Sequence, residues 1–216
     1  MFFATNIASF LACPHTVTLD RAESRKEITK PFFQDPTIDL LRKLGIEHER
    51  RHLRKLVGEH GLAVDQIDIN DPWTDAVAKT ATALRGGADA VYQGTFLDGK
   101  WGGRPDFLLR VNTPSALGAW SYEVAETKLA RSSKAGAIIQ LCFYSDLLGR
   151  IQRLEPKVMH VVLGGGVPPE QFYVPRYIAY FRKVGIYLTP PNATGCGLTR
   201  VANGTGSTCT ACWAKR

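Results

Sequence analysis

The sequence lacks any apolar run that approaches the roughly 20 residues needed by a membrane-spanning helix. Its apolar N-terminus, MFFATNIASFLAC, lacks the basic residues that open a secretory signal peptide, and it runs directly into a charged segment. These absences argue against a membrane protein and against an exported one. We therefore expect a cytoplasmic protein with no membrane partner.

Cysteine is unevenly distributed along the chain. The five cysteines are Cys13, Cys142, Cys196, Cys209 and Cys212. In a cytoplasmic protein this usage argues against a disulfide framework and for buried thiols or metal ligands. Cys142 stands inside a predicted helix, where we expect it to be a small buried side chain. The other four are candidates for metal binding.

Charged residues are present in ordinary number but are biased toward basic types. They make up 22% of the chain, and apolar residues make up 44%, as in an ordinary globular protein. Lys and Arg number 27 against 20 Asp and Glu, which gives a net charge of +7. This balance favours polyanionic partners such as nucleic acid, but it is equally compatible with a basic protein that binds none.

Hydrophobic periodicity predicts helices packed on the outside of a mixed sheet. Helical spacing of apolar residues alternates with stretches of period two, which indicate strands. Helices are predicted over about 6–23 (interrupted at Cys13-Pro14), 36–60, 73–85, 135–154 and 175–188, and strands over 62–69, 89–97, 101–111, 119–130, 157–165 and 170–174. The three central strands are predicted to form an antiparallel meander. Together these elements predict an α/β (α+β) fold.

The composition changes abruptly after Pro190-Pro191. The last segment, NATGCGLTRVANGTGSTCTACWAKR, is rich in Gly, Thr and Ser and has little hydrophobic period. Such a segment is a loop-like tail unless a metal orders it. We therefore predict one domain over residues 1–190 and a cysteine-containing tail over residues 191–216.

The segment YEVAETKLA places Glu126 and Lys128 two residues apart at the end of an apolar run. Side chains alternate across a strand, so both point to one face and Thr127 points to the other. One interpretation is an exposed ion pair at a strand end, worth about 0 to 1 kcal/mol. The other is catalytic, because Asp106 belongs to the preceding strand-like run. If the two strands pair, Asp106 and Glu126 meet at one end of the sheet.

Two carboxylates and a lysine at adjacent strand ends suit a hard metal ion. Mg²⁺ and Mn²⁺ prefer oxygen ligands, which Asp106 and Glu126 can supply. A bound ion polarises a phosphoryl oxygen and activates a water, while Lys128 can orient that water or stabilise developing charge. Further basic residues that could contact phosphates are Arg104, Arg110, Arg131 and Lys134.

The Asp-x19-Glu-x-Lys arrangement resembles the PD-(D/E)XK nuclease superfamily. Three flanking motifs resemble its RecB-like members and the CRISPR-associated exonucleases that carry an iron-sulfur cluster. They are Gly45 and His48 in LGIEHE, Gln140 and Tyr144 in QLCFY, and FLACPH near the N-terminus. The resemblance covers residues 1 to about 190. It implies a restriction-endonuclease-like core, with a mixed central sheet flanked by helices.

The resemblance also implies a role for each matched residue. Gln140 and Tyr144 would contact the DNA backbone or support the catalytic lysine. From the residues alone, His48 is more simply a helix-surface histidine, and Gln140 and Tyr144 are equally well helix-packing residues. The implied metal ligands are His48, Asp106 and Glu126, and the implied catalytic residues are Lys128, Glu126, Asp106, Gln140 and Tyr144.

The cluster-bearing relatives use one cysteine near the N-terminus and three near the C-terminus. The resemblance therefore implies a [4Fe-4S] cluster, or zinc as the alternative, bound by Cys13, Cys209 and Cys212. The last cysteine of the family pattern is missing, and Cys196 could replace it only at a spacing that the family does not show. We therefore expect the tail to be atypical or truncated.

Together these features predict a Mg²⁺- or Mn²⁺-dependent deoxyribonuclease. By resemblance it would be an exonuclease on single-stranded DNA ends that acts in DNA repair or processing. One alternative is a non-catalytic DNA-binding module, or a fragment that works with a helicase or second nuclease domain supplied elsewhere. Another is a structural zinc or iron-sulfur protein with no role in nucleic-acid chemistry.

Overall fold

The computed structural model describes residues 2–31 and 35–188, with the backbone alone for residues 186–188. The helices are α1 (Ala4–Ala12), α2 (Pro14–Ser24), α3 (Pro36–Gly58), α4 (Trp73–Gly86), α5 (Ala135–Gln152) and α6 (Ile178–Leu188). The strands are β1 (Val64–Gln66), β2 (Ala90–Tyr92), β3 (Phe96–Asp98), β4 (Trp101–Gly103), β5 (Phe107–Val111), β6 (Ser121–Lys128), β7 (Val158–Leu163) and β8 (Glu170–Tyr173).

Six strands form one mixed sheet in the order β1-β2-β5-β6-β7-β8. The pairs β1–β2 and β6–β7 are parallel, and the other three pairs are antiparallel. Strand β6 is the longest and lies between β5 and β7, so its backbone is paired on both edges. The predicted mixed sheet flanked by helices is confirmed.

The two faces of the sheet are covered unequally. The main core packs α1, α4, α5 and α6 against one face, where Tyr122 and Val124 of β6 are fully buried. On the other face α3 supplies Leu56, which packs with Phe107 and Ala125. Alternation along β6 therefore directs even-numbered residues, Glu126 and Lys128 among them, toward the α5 side.

The predicted three-stranded meander is only partly correct. Strands β2, β5 and β6 pair antiparallel as expected, but β3 and β4 form a separate two-stranded hairpin inserted between β2 and β5. The chain leaves the sheet at Gln93, whose φ of 56° is left-handed. Gly94 follows with no space for a side chain, because a Cβ there would lie 2.8 Å from Leu108 Cδ1. The turn therefore depends on close packing between Gly94 and Leu108, which the alternation of apolar and polar residues in the sequence does not predict.

Helix boundaries follow the local signals in the sequence. Asp35 caps α3 by accepting a 2.8 Å hydrogen bond from the Thr37 backbone N–H, and Pro36 occupies the first turn. Gly87 ends α4 at a φ of 74°, as the paired glycines predict. The interruption predicted at Cys13-Pro14 separates α1 from α2.

Two further predictions concern the chain as a whole. No helix among the described residues is both long enough and apolar enough to cross a membrane. The predicted tail over residues 191–216, with Cys196, Cys209 and Cys212, lies outside the described residues, and so does the end of the predicted 1–190 domain.

Candidate active site

Glu126 is a buried carboxylate near the end of β6. Only 4% of the residue is exposed. Its Oε1 accepts hydrogen bonds from Gln140 Nε2 at 2.8 Å and from Lys128 Nζ at 3.3 Å. Its Oε2 is enclosed and has no hydrogen-bond partner among the described residues. The pair of Glu126 and Lys128 is therefore not the exposed ion pair of the simpler interpretation.

Asp106 reaches the same end of the sheet from the neighbouring strand. It lies one residue before β5, and the register that pairs Phe107 with Ala125 continues to Asp106 opposite Glu126, one residue from Thr127. Asp106 Oδ2 accepts two hydrogen bonds of 2.7 Å, from the Thr127 backbone N–H and from Thr127 Oγ1. The predicted pairing of these strands, and the meeting of Asp106 with Glu126, are therefore observed.

Both carboxyl groups hold protons more tightly than usual. The pKa of Glu126 rises from 4.5 to about 8, first through burial and then through the charge of Asp106, against the opposing effect of Lys128. The pKa of Asp106 rises from 3.8 to about 6, through burial and the charge of Glu49, against the hydrogen bonds from Thr127. Two neighbouring carboxyl groups with raised pKa values are typical of functional sites.

Gln140 and Tyr144 project from one face of α5 beside Glu126. Gln140 Nε2, which already donates to Glu126, lies 3.4 Å from the Tyr144 hydroxyl. Burial and the charge of Glu126 raise the pKa of Tyr144, so its hydroxyl stays protonated. The ring packs against Gly103 of β4, where a Cβ would lie 2.5 Å from Tyr144 Cε1. The two residues predicted from the Gln-x-x-x-Tyr motif thus belong to the same cluster.

His48 lies on α3 and contacts strand β7 of the sheet. Its Nε2 lies 3.1 Å from the backbone carbonyl of Val162 in β7. Because a carbonyl only accepts, Nε2 carries the hydrogen, and in the neutral ring Nδ1 keeps its lone pair. His48 does not join Asp106 and Glu126 in one ligand group, so its role as a metal ligand stays a prediction.

Glu49 is a site residue that the sequence patterns do not indicate. It follows His48 on α3 and accepts a short hydrogen bond from Gln93 Nε2. Its charge raises the pKa of Asp106 and contributes to the raised pKa of Tyr92. No local pattern links the two residues, because Gln93 and Glu49 are 44 positions apart in the sequence.

The chemistry of the two carboxylates fits a hard cation, although no complete ligand cage is present. Within residues 2–31 and 35–188, no three or more His, Cys, Asp or Glu side chains form a metal-binding group. Magnesium needs only one or two protein carboxylates, since waters and substrate phosphates supply the rest. The unpartnered Glu126 Oε2 beside Asp106 is the oxygen that such an ion would satisfy.

Most of the cysteines predicted to bind a cluster lie outside the described residues. Cys13 is partly exposed between α1 and α2, and Cys142 is buried in α5 as expected. The predicted partners of Cys13 fall on residues that the structure does not describe. Comparison of the chain with protein-family models and with curated protein sequences gives no match.

Proposed function

We propose that the chain is a Mg²⁺- or Mn²⁺-dependent deoxyribonuclease that hydrolyses phosphodiester bonds at the Asp106–Glu126–Lys128 cluster. The proposal rests on the buried Glu126 carboxylate. Its Oε2 has no hydrogen-bond partner in the described part of the chain, although Asp106 and Lys128 lie beside it. Burying an unpaired carboxylate oxygen is unfavourable, so a ligand is the simplest reason for it. The preference for single-stranded DNA ends rests on the resemblance described above.

Asp106 and Glu126 would hold the metal ion. When bound, such an ion supplies Lewis-acid polarisation of the phosphoryl oxygen and lowers the pKa of a bound water. Thr127 fixes the orientation of Asp106 through two hydrogen bonds to Oδ2, which leaves Oδ1 for other ligands. Gln140 does the same for Glu126 by occupying Oε1. The protein therefore presents one oxygen of each carboxylate in a fixed position.

Lys128 would act on the substrate. Its side chain is 33% exposed, so the ammonium can reach solvent while it contacts Glu126. An ammonium there can hydrogen-bond the attacking water or neutralise the charge that develops on the phosphoryl oxygens. Gln140 and Tyr144 add further hydrogen-bond donors next to Glu126. The basic charge of the chain, +7 overall, favours a polyanionic substrate.

The proposal is tested by incubating end-labelled single-stranded and duplex DNA with the protein in Mg²⁺, Mn²⁺ or EDTA. We expect cutting in either metal, none in EDTA, and none from Asp106→Ala. A folded protein that binds DNA in a salt-sensitive way but cuts nothing would instead favour the non-catalytic DNA-binding module. Cutting that persists in EDTA would contradict the proposed chemistry.

A further inference from the structure

A cavity of about 520 Å³ opens between the C-terminal ends of α4 and α5. Its third wall is the loop that joins β5 to β6. Ile151 follows Gln140 by eleven residues on α5, about 16 Å along the helix, so the cavity is separate from the carboxylate cluster. A volume of this size is in the range of small-molecule sites. The residues that line it are Ala81, Arg85, Ala116, Leu117, Ile151 and Arg153.

The loop ties the two helix ends to each other. Trp120 Nε1 donates a 3.0 Å hydrogen bond to the Leu84 carbonyl of α4, and the Ala116 N–H donates a 2.9 Å hydrogen bond to the Gln152 carbonyl of α5. Gln152 is fully buried, and its side chain exchanges hydrogen bonds with the backbone of Tyr122 in β6. The walls of the cavity are therefore fixed by hydrogen bonds before any ligand binds, as is usual for a small-molecule site.

Two guanidinium groups at this cavity have no protein partner. Arg85 lies in the last turn of α4, and Arg153 caps α5. Both residues are exposed, and neither makes a hydrogen bond or an ion pair with another described residue. Asp146 lines a neighbouring cavity that Arg153 also reaches, but it is already paired with Arg150 and Arg182. The donors of Arg85 and Arg153 are therefore available to a ligand that enters from solvent.

The competing explanation for both arginines is a structural role at the helix ends. A basic side chain there often neutralises the partial charge of the last carbonyls. Here the loop supplies donors to the Leu84 and Gln152 carbonyls, and two full positive charges exceed the negative charge of about 0.5 at each helix end. Arg153 also has a φ of 50°, a left-handed conformation that glycine adopts without strain. Helix capping alone does not account for an arginine at that position.

The lining combines two anion-binding groups with an apolar surface. A guanidinium fork matches the oxygens of a phosphate, and two forks suit the double charge of a phosphomonoester. Leu117 and Ile151 supply the apolar surface, and Ile151 is 42% exposed although it is large and hydrophobic. We propose that this cavity binds a free nucleoside monophosphate, with its phosphate at Arg85 and Arg153 and its base or sugar against Leu117 and Ile151. The inference does not depend on the proposed nuclease function.

The first measurement is calorimetric titration with adenosine monophosphate in EDTA, beside adenosine and inorganic phosphate. We expect the nucleotide to bind about tenfold or more tightly than either fragment, because it alone contacts both the guanidinium groups and the apolar surface. Arg85→Gln should weaken nucleotide binding about tenfold or more, since a charge-assisted hydrogen bond is lost. The matched control is Arg51→Gln on α3, another exposed arginine, which should change the affinity less than about twofold. Equal binding by the wild type and Arg85→Gln, or no binding by the folded wild type, would overturn the proposal.

A glycine at position 153 separates ligand binding from folding. Arg153→Gly suits the left-handed backbone, so urea denaturation should show a protein about as stable as the wild type. Nucleotide binding should nevertheless weaken about tenfold or more. Arg153→Lys keeps the charge but loses the fork, and it should bind with intermediate affinity. If Arg153→Gly binds the nucleotide as tightly as the wild type does, the proposal is wrong whatever the stability of the variant.

Methyl NMR spectra in EDTA locate the bound nucleotide. Ile151 lies at the cavity, whereas Ile139 is buried beside Gln140 near the other end of α5. Adenosine monophosphate should shift the methyl signals of Ile151 and leave those of Ile139 unchanged. Shifts at Ile139 alone, or at neither residue, would overturn the inference. So would a 5′-phosphorylated oligonucleotide that shifts Ile151 when the free nucleotide does not, because the site would then belong to a strand end. None of these measurements involves cutting, so failure of the nuclease proposal leaves their outcome unaffected.

Discussion

The substitution Glu126→Gln should stabilise the metal-free protein, and only at neutral pH. The glutamine keeps the shape of the side chain and can still accept hydrogen bonds from Gln140 and Lys128 at its Oε1. Its amide nitrogen takes the place of the unpartnered Oε2, as the proton of a neutral glutamic acid would. The variant therefore reproduces protonated Glu126 at every pH.

The size of the effect follows from the pKa of Glu126, which is about 8 in the folded protein against 4.5 usually. Between these values the folded protein retains a proton that the unfolded chain releases, so the free energy of unfolding of the wild type falls as pH rises. One proton changes this free energy by about 1.4 kcal/mol per pH unit. Between about pH 5 and about pH 7.5 the free energy of unfolding of the wild type should fall by about 3 kcal/mol through this proton. The free energy of unfolding of Glu126→Gln should not show this fall.

The assay is urea denaturation of both proteins in EDTA at the two pH values. The matched control is Glu123→Gln, which lies on the same strand but accepts from His160 Nε2 at 2.8 Å and from the Val158 backbone N–H at 3.2 Å. Because every oxygen of Glu123 is partnered, that variant should gain no stability at either pH. An advantage of Glu126→Gln that does not grow with pH, or a loss of stability at about pH 7.5, would refute the reasoning.

Two further predictions concern the metal ion and the packing of Tyr144. Mg²⁺ affinity, measured by calorimetry, should rise as pH increases from about 6 to about 8, because Asp106 and Glu126 must release protons to bind a cation. An affinity independent of pH would contradict the assignment of these ligands. Gly103→Ala should lower the free energy of unfolding by about 1–3 kcal/mol through overpacking, since its Cβ would lie 2.5 Å from Tyr144 Cε1. Gly58→Ala, where a Cβ meets nothing within 4 Å, is its control and should cause no such loss in urea denaturation.

The elements of the fold were predictable where one local pattern decides them. Strands β5 and β6 were predicted as neighbouring strand-like runs, and their pairing brings Asp106 to Glu126. The same reasoning fails for β3 and β4, because the turn at Gln93 depends on its left-handed backbone and on the close packing of Gly94. The spacing of apolar residues in the sequence predicts neither the backbone conformation of Gln93 nor the packing of Gly94.

The candidate site was predictable to a similar degree. Lys128, Gln140 and Tyr144 lie on elements whose geometry the sequence determines locally, and the structure brings them to Glu126. Glu49 was missed because its neighbours come from distant parts of the chain. The implied role of His48 as a metal ligand stays a prediction, because spacing along one helix does not specify the distance between α3 and the sheet edge.

The most direct test of the account is the single-turnover rate of DNA cutting by Lys128→Ala in Mg²⁺. Its matched control is Lys183→Ala, which removes an exposed lysine from α6. We expect Lys128→Ala to cut about 100-fold to 1,000-fold more slowly than the wild type, as expected for loss of a group that stabilises transition-state charge, and Lys183→Ala to cut normally. Equal cutting by the wild type, Lys128→Ala and Lys183→Ala would contradict the assignment of the active site.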